Sequence, residues 1–203
     1  MRALLLLLLL PLFADNFNDG VRGPEWVEGS GFYVQAPHYS PLVLVDESTG
    51  TLTFTHPGSL YWLANSYTSI AAYDVRDRRV SAKLTRQGAT AWLAVGEDGE
   101  HASVTIQNGP SGTSLYFKTY YAGRYDEYDQ LFVDDYGPDD LYVALRFNRR
   151  GVYCETSPDG VNWVSHGLIK GKLDFTSAAH IELGGGGFIQ SPGTSTIDDF
   201  KIE

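Results

Sequence analysis

The chain has a single cysteine, Cys154, which excludes an internal disulfide and any thiolate metal cluster. It stands in a β-like run, Val152-Tyr-Cys-Glu155, where a buried and inert thiol is expected. Basic residues are also scarce. Fifteen Lys and Arg face 25 Asp and Glu, and a formal net charge of −10 repels phosphate backbones, which excludes general nucleic-acid binding. No stretch has the sustained period of a long helix. The words of common enzyme classes are missing as well: the five histidines include no i,i+4 pair, and no serine-hydrolase or Walker signature occurs. The run Gly184-Gly-Gly-Gly187 is not followed by Lys-Ser/Thr, so it reads as a bulge or a close backbone approach. Asp15-Asn-Phe-Asn-Asp-Gly20 fails as an EF-hand loop because Phe17 stands where an oxygen ligand is needed.

What the chain does have is 203 residues at 43% apolar, with 22 Gly and 13 Tyr. That composition suits one all-β domain of short strands and tight turns. The stretch from Val80 to Asn148 organises it. Residues 80–85, 91–95, 102–107, 114–120 and 141–147 alternate apolar and polar side chains, the period of strands buried on one face. Val80, Ala82, Leu84, Leu93, Val95, Val104, Ile106, Leu115, Phe117, Val143, Leu145 and Phe147 form the inward set. The outward set is Lys83, Trp92, Thr105, Gln107, Tyr116, Lys118, Tyr120, Tyr142 and Arg146, and it is rich in aromatics for a solvent face.

Further strands are expected at 31–34, 42–45, 51–55, 152–156, 162–165, 181–183 and 195–202, with a less regular aromatic region over 60–73 at the rim of a sheet. Residues 123–140 form a long acidic loop carrying Tyr125, Tyr128 and Tyr136. At the start, Met1-Arg2, a leucine-rich run to Phe13 and the small Ala14 match the regions of a secretory signal, too short to span a bilayer. The expectation is cleavage after Ala14, one mature domain over 15–203 without membrane insertion, and a secreted, periplasmic or cell-surface location. Loss of Arg2 leaves 14 Lys and Arg against 25 Asp and Glu, a net −11.

Three short words carry a resemblance. The opening Asp15-Asn-Phe-Asn-Asp-Gly with Trp26 after it, the hairpin word Ser157-Pro-Asp-Gly-Val-Asn-Trp163, and the ending Ile197-Asp-Asp-Phe-Lys-Ile202 resemble the concanavalin A-like lectin/glucanase superfamily. That resemblance implies an antiparallel jelly-roll β-sandwich, glycan binding on the concave sheet, and in many members a structural calcium near the terminal strands. Carried onto this chain, calcium would be held by Asp198 or Asp199 with a backbone carbonyl near Asp15. Laminarinase-type hydrolases of the superfamily place catalytic carboxylates as Glu-x-Asp-x-x-Glu on one strand face. No such word occurs here, and Asp126-Glu-Tyr-Asp129 has the wrong spacing.

If the strands pair in sequence order, Trp92, Thr105, Gln107, Tyr116, Lys118, Tyr142 and Arg146 share one face. Aromatic platforms beside hydrogen-bonding groups suit a polysaccharide ligand, and Lys118 and Arg146 favour an acidic or polar one. The expected function is an exported carbohydrate-binding, lectin-like β-sandwich without catalysis. The alternatives are a glycan-cleaving hydrolase or lyase of the same superfamily, and a structural or adhesion module of a cell surface or particle.

Overall fold

The computed structural model describes residues 13–29, 31–33, 38–97, 99–108, 113–120, 128–133, 140–170 and 173–203. In chain order the strands are β1 (Phe13–Asp15), β2 (Trp26–Gly29), β3 (Leu44–Asp46), β4 (Leu52–His56) and β5 (Leu63–Ser69). Then come β6 (Arg79–Gln87), β7 (Thr90–Glu97), β8 (Glu100–Asn108), β9 (Thr113–Tyr120) and β10 (Tyr128–Val133). The last are β11 (Asp140–Asn148), β12 (Gly151–Ser157), β13 (Val164–Lys170), β14 (His180–Gly187) and β15 (Gly193–Ile202). One 3-10 turn, Asp174–Ser177, precedes β14. All the paired strands are antiparallel. Sheet A runs β13-β12-β11-β6-β15-β4-β3 with β1 on β15, and sheet B runs β10-β9-β8-β7-β14-β5-β2. The chain is an antiparallel jelly-roll β-sandwich. No helix among the described residues is long and apolar enough to cross a membrane.

The inward set lies between the sheets without exception, in one apolar cluster that Leu52, Phe54, Ile181, Leu183, Ile197 and Phe200 extend. Period-2 alternation thus named the core residues because each strand has one face on the interior. Cys154 belongs to this cluster, and burial pushes its thiol up to about 12, so no thiolate forms near neutral pH.

Pairing in sequence order breaks at two points. β6 ends at Gln87 and β7 begins at Thr90, yet β6 lies in sheet A and β7 in sheet B. Gly88, at φ +93°, lets the chain cross between layers in two residues where a hairpin is expected. β7, β8, β9 and β10 then pair in order, whereas β11 returns to sheet A beside β6. Two other expectations are corrected. The acidic stretch contains β10, an edge strand whose Leu131 and Val133 pack on the core. Residues 31–33 are not a strand but cross the outer side of sheet B, and Val34 lies outside the described residues.

The glycine run is the close approach that its composition implied. Gly184 and Gly185 sit in β14 between β5 and β7 and face opposite sides of sheet B. A Cβ on Gly184 would lie 2.1 Å from Trp92 Cζ2, and one on Gly185 would lie 2.4 Å from Phe54 Cβ. Both sides of the strand are therefore closed to any side chain. At the N-terminus, β1 includes Phe13 and Ala14, the last two residues of the expected leader. The Phe13 ring stacks on Tyr73 at 5.1 Å and meets Phe200 edge-on at 5.3 Å. The word Ser157-Pro-Asp-Gly is the turn between β12 and β13. Asp159 Oδ1 accepts the N–H groups of Val161 and Asn162 at 2.9 and 2.8 Å, which holds its carboxyl below the ordinary range.

Candidate functional site

Register places the outer side chains of sheet B in rows across the strands. One row reads Thr68, Glu182, Ala94, Ser103, Lys118 and Gln130. The next reads Ser66, Gly184, Trp92, Thr105, Tyr116 and Phe132. A third end of the face carries His101 opposite Gly96 and Tyr120. This is the face on which Trp92, Thr105, Gln107, Tyr116 and Lys118 come together. Gln107, Tyr116 and Lys118 are half-buried and reachable. The Tyr116 and Phe132 rings lie 4.4 Å apart, and Lys118 Nζ sits 5.6 Å from the Tyr116 ring centre. Partial burial pushes the Lys118 ammonium down.

Tyr142 and Arg146 do not belong to it. Both lie on β11, so they are on the outer side of sheet A. The Tyr142 hydroxyl donates to Asp199 Oδ2 at 2.5 Å. Arg146 Nε donates to Glu155 Oε1 at 2.8 Å and its guanidinium lies 4.1 Å from the Tyr153 ring centre. Arg79 Nε donates to the other oxygen of Glu155 at 3.0 Å. Arg146 is thus one arm of an Arg–Glu–Arg bridge that ties β6, β11 and β12. The shared face failed at these two positions because the chain changes sheets between β6 and β7, and again between β10 and β11.

Trp92 is in the middle of the face but has 0% of its surface exposed. Gly184 admits its indole on one side, and the segment Gly31–Tyr33 covers it from outside, with the Tyr33 ring centre 5.7 Å away. Tyr33 is fastened by its amide N–H, which donates to Glu182 Oε2 at 2.7 Å. Its hydroxyl is 3.4 Å from Thr105 Oγ1. As it stands, Trp92 is a wall of the site rather than an open platform.

Sequence reasoning missed several aromatics at one end of this face. Tyr61 and Trp62 precede β5 and Phe188 follows β14, next to each other because Leu63 pairs with Gly187. Tyr61 is 78% and Phe188 59% exposed. The signal was present as a cluster of rings flanking strand ends, but alternation does not extend into turns. Glu182 is the one carboxylate that the described strands place on this face, and it is fully buried.

At the other side of the molecule, Asp15, Asn16, Asp19, Glu25, Asp199 and Lys201 line a hollow of about 350 Å³ beside the terminal strands. Asp15 Oδ1 accepts the Phe17 N–H at 2.9 Å and Oδ2 accepts the Trp26 indole at 2.8 Å. Asp198 Oδ1 accepts the Asp199 N–H at 2.7 Å. Among the described residues no three His, Cys, Asp or Glu side chains converge closely enough to hold a metal ion.

No protein-family model matches the sequence, and no curated protein matches it. Solved structures do. LamAcat from Zobellia galactanivorans superposes with TM-score 0.66 at 13% identity, over 95% of this chain and 96% of that one. The Bacteroides ovatus mixed-linkage glucan GH16 protein, in complex with a G4G4G3G product, gives 0.69 at 11% identity over 95% and 100%. An immunostimulatory antigen and pseudo β-1,3-glucanase of Mycobacterium tuberculosis gives 0.67 at 12% identity over 95% and 98%.

The face also carries a pH signature. Burial pushes the His101 imidazole down to about 4 from an ordinary 6.5. Between those values the unfolded chain binds a proton that the folded chain refuses. The stability is present in full above pH 6.5 and is lost as pH falls to about 4, by roughly 3 kcal/mol. Denaturant unfolding at a series of pH values should show that loss, and His101→Phe should remove its share of the slope. An unaltered slope in the variant would contradict a buried neutral His101. With those strands, that register and those neighbours, the chain has the jelly-roll fold of the concanavalin A-like lectin/glucanase superfamily.

Proposed function

We propose that the protein recognises a polysaccharide on the outer face of sheet B. The observation that carries this reading is the make-up of that face. Tyr116, Phe132, Tyr120, Tyr61, Trp62 and Phe188 present rings along it, Gln107 and Lys118 supply reachable hydrogen-bonding groups, and Thr105 and Ser103 lie buried beneath. Flat C–H faces of sugar rings stack on aromatics, and their hydroxyls need such donors and acceptors. Export is part of the proposal, supported by the leader-like pattern of residues 1–14.

The neighbours' names favour the cleaving alternative over a purely non-catalytic protein. Glycoside hydrolysis needs two carboxyl groups about 5–10 Å apart. Glu182 is one carboxylate in place. The acidic stretches before and after β10 in the sequence, with Asp126, Glu127, Asp134, Asp135 and Asp139, lie outside the described residues. Cleavage is therefore the second reading, and one experiment separates the two. Electrophoresis through gels containing soluble polysaccharides should show retardation by at least one, weakened roughly tenfold in Tyr116→Ala, the loss of one stacked ring. Release of reducing ends from that polysaccharide, abolished in Glu182→Gln, would establish a hydrolase. Retardation without release would establish a binding protein. No retardation by any polysaccharide would overturn the proposal.

Structural calcium is a separate proposal, supported by the carboxylates of the hollow beside β1 and β15. Backbone carbonyls would have to provide most of its ligands. Asp198→Ala should lower the melting temperature more in calcium buffer than in chelator, where only its bond to the Asp199 N–H is lost. An equal loss in both removes the metal.

A further inference from the structure

Five buried polar atoms on the outer face of sheet B have no hydrogen-bond partner: Thr68 Oγ1, Trp92 Nε1, Ser103 Oγ and both ring nitrogens of His101. Native interiors rarely leave such atoms unpaired, because desolvation is then not offset. Here they are neighbours in register. Ser103 is opposite Ala94, Trp92 is two residues back along β7, His101 is two residues back along β8, and Thr68 reaches the same row through Glu182.

What lies over them is the segment Gly31–Tyr33. Phe32 packs with Trp92 and Ala94, and the polar hold on the described strands of sheet B runs through Tyr33. Beyond the Tyr33 N–H to Glu182, the Tyr33 hydroxyl faces Thr105 at 3.4 Å, long for a pair of hydroxyls, and the Tyr33 ring meets His101 edge-on at 5.3 Å. Phe32 reaches His101 at 6.0 Å. The segment lies this close only because residue 31 has no side chain. A Cβ there would be 2.1 Å from Glu182 Oε2 and 2.4 Å from Thr68 Oγ1.

We propose that the Tyr33 side chain is an internal occupant of a sugar-ring subsite, and that a neutral sugar ring takes its place when residues 31–33 lift from sheet B. This rests on the glycan reading and deepens it. A phenol is a flat ring with one hydroxyl, which Thr105 meets weakly and Ser103 approaches without a well-formed bond. A pyranose has similar breadth and carries hydroxyls on several sides, enough to pair Ser103, His101, Trp92 and Thr68. The unpaired atoms are uncharged. His101 stays neutral in the physiological range, and Lys118 is engaged with the Tyr116 ring, so among the described residues the floor holds no cation aimed at an anionic sugar. Closure weakens apparent affinity by the fraction of time the subsite is open. A segment lifted about one-tenth of the time costs about tenfold.

The test uses the full chain and two readouts. Diethyl pyrocarbonate modification of His101, followed by peptide mass mapping, reports the cover without any sugar present. Gel retardation by laminarin, mixed-linkage glucan and the anionic alginate reports the subsite. Tyr33→Ala removes the occupant. Gly31→Ala keeps every side chain and pushes the segment outward, which serves if Tyr33→Ala fails to fold. Both variants should speed His101 modification about tenfold and strengthen retardation by a neutral polysaccharide by a similar factor. Adding Ser103→Ala to Tyr33→Ala should cancel the gain. Unchanged His101 modification overturns the cover. Faster modification, with retardation equal to that of the wild type, overturns the subsite and leaves the glycan reading standing. Retardation of no form of the protein overturns both. A gain for alginate alone overturns the neutral-sugar assignment.

Discussion

The contact between Trp92 and the bare backbone at Gly184 is the constraint on which the outer face of sheet B depends. An indole on the solvent side of a sheet ordinarily stands away from it. Here β14 presents no side chain beneath Trp92, so the ring lies against the next strand and makes a level floor. A level floor lets Gly31–Tyr33 pack across it, and that segment in turn buries His101 and Ser103. The adjacent Gly185 serves the other side of the same strand, where Phe54 fills the core. One run of small residues therefore sets both the depth of the sandwich and the shape of the candidate site.

The two outer faces of the sandwich have different characters. On sheet A the polar groups are matched: Glu155 takes both Arg79 and Arg146, and Asp199 takes Tyr142. On sheet B the central polar atoms are buried without partners, and the accessible ones stand beside rings. Matched charges make a structural surface, since each group is already satisfied. Unmatched uncharged groups next to flat rings make a surface suited to a ligand with many hydroxyls.

Much of this was legible in the chain. Every residue that alternation named as inward between Val80 and Phe147 lies in the core, because the rule concerns only which side of a strand a residue takes. It carried no information on which sheet a strand joins. The two-residue connection at Gly88 looks like a hairpin, and a crossing between layers needs the same short, glycine-bearing link. That ambiguity hid the first change of sheet, and the second, between β10 and β11, put Tyr142 and Arg146 on the wrong face. The burial of Trp92 was hidden for another reason: its cover comes from residues some sixty positions earlier, a contact that local pattern cannot contain. β10 was masked by the charge around it, although Leu131 and Val133 keep the alternation of an edge strand.

The claim that the ligand face is the outer side of sheet B is tested most directly by the indole N–H resonances of a ¹⁵N-labelled sample, titrated with oligosaccharides of whichever polysaccharide binds. Trp92 lies under that face, Trp62 at its end, and Trp163 beside Arg79, 4.8 Å from its guanidinium, on the opposite sheet. The account predicts shifts at Trp92 and Trp62 with Trp163 unmoved. Movement of Trp163 alone would put the ligand on sheet A and contradict it.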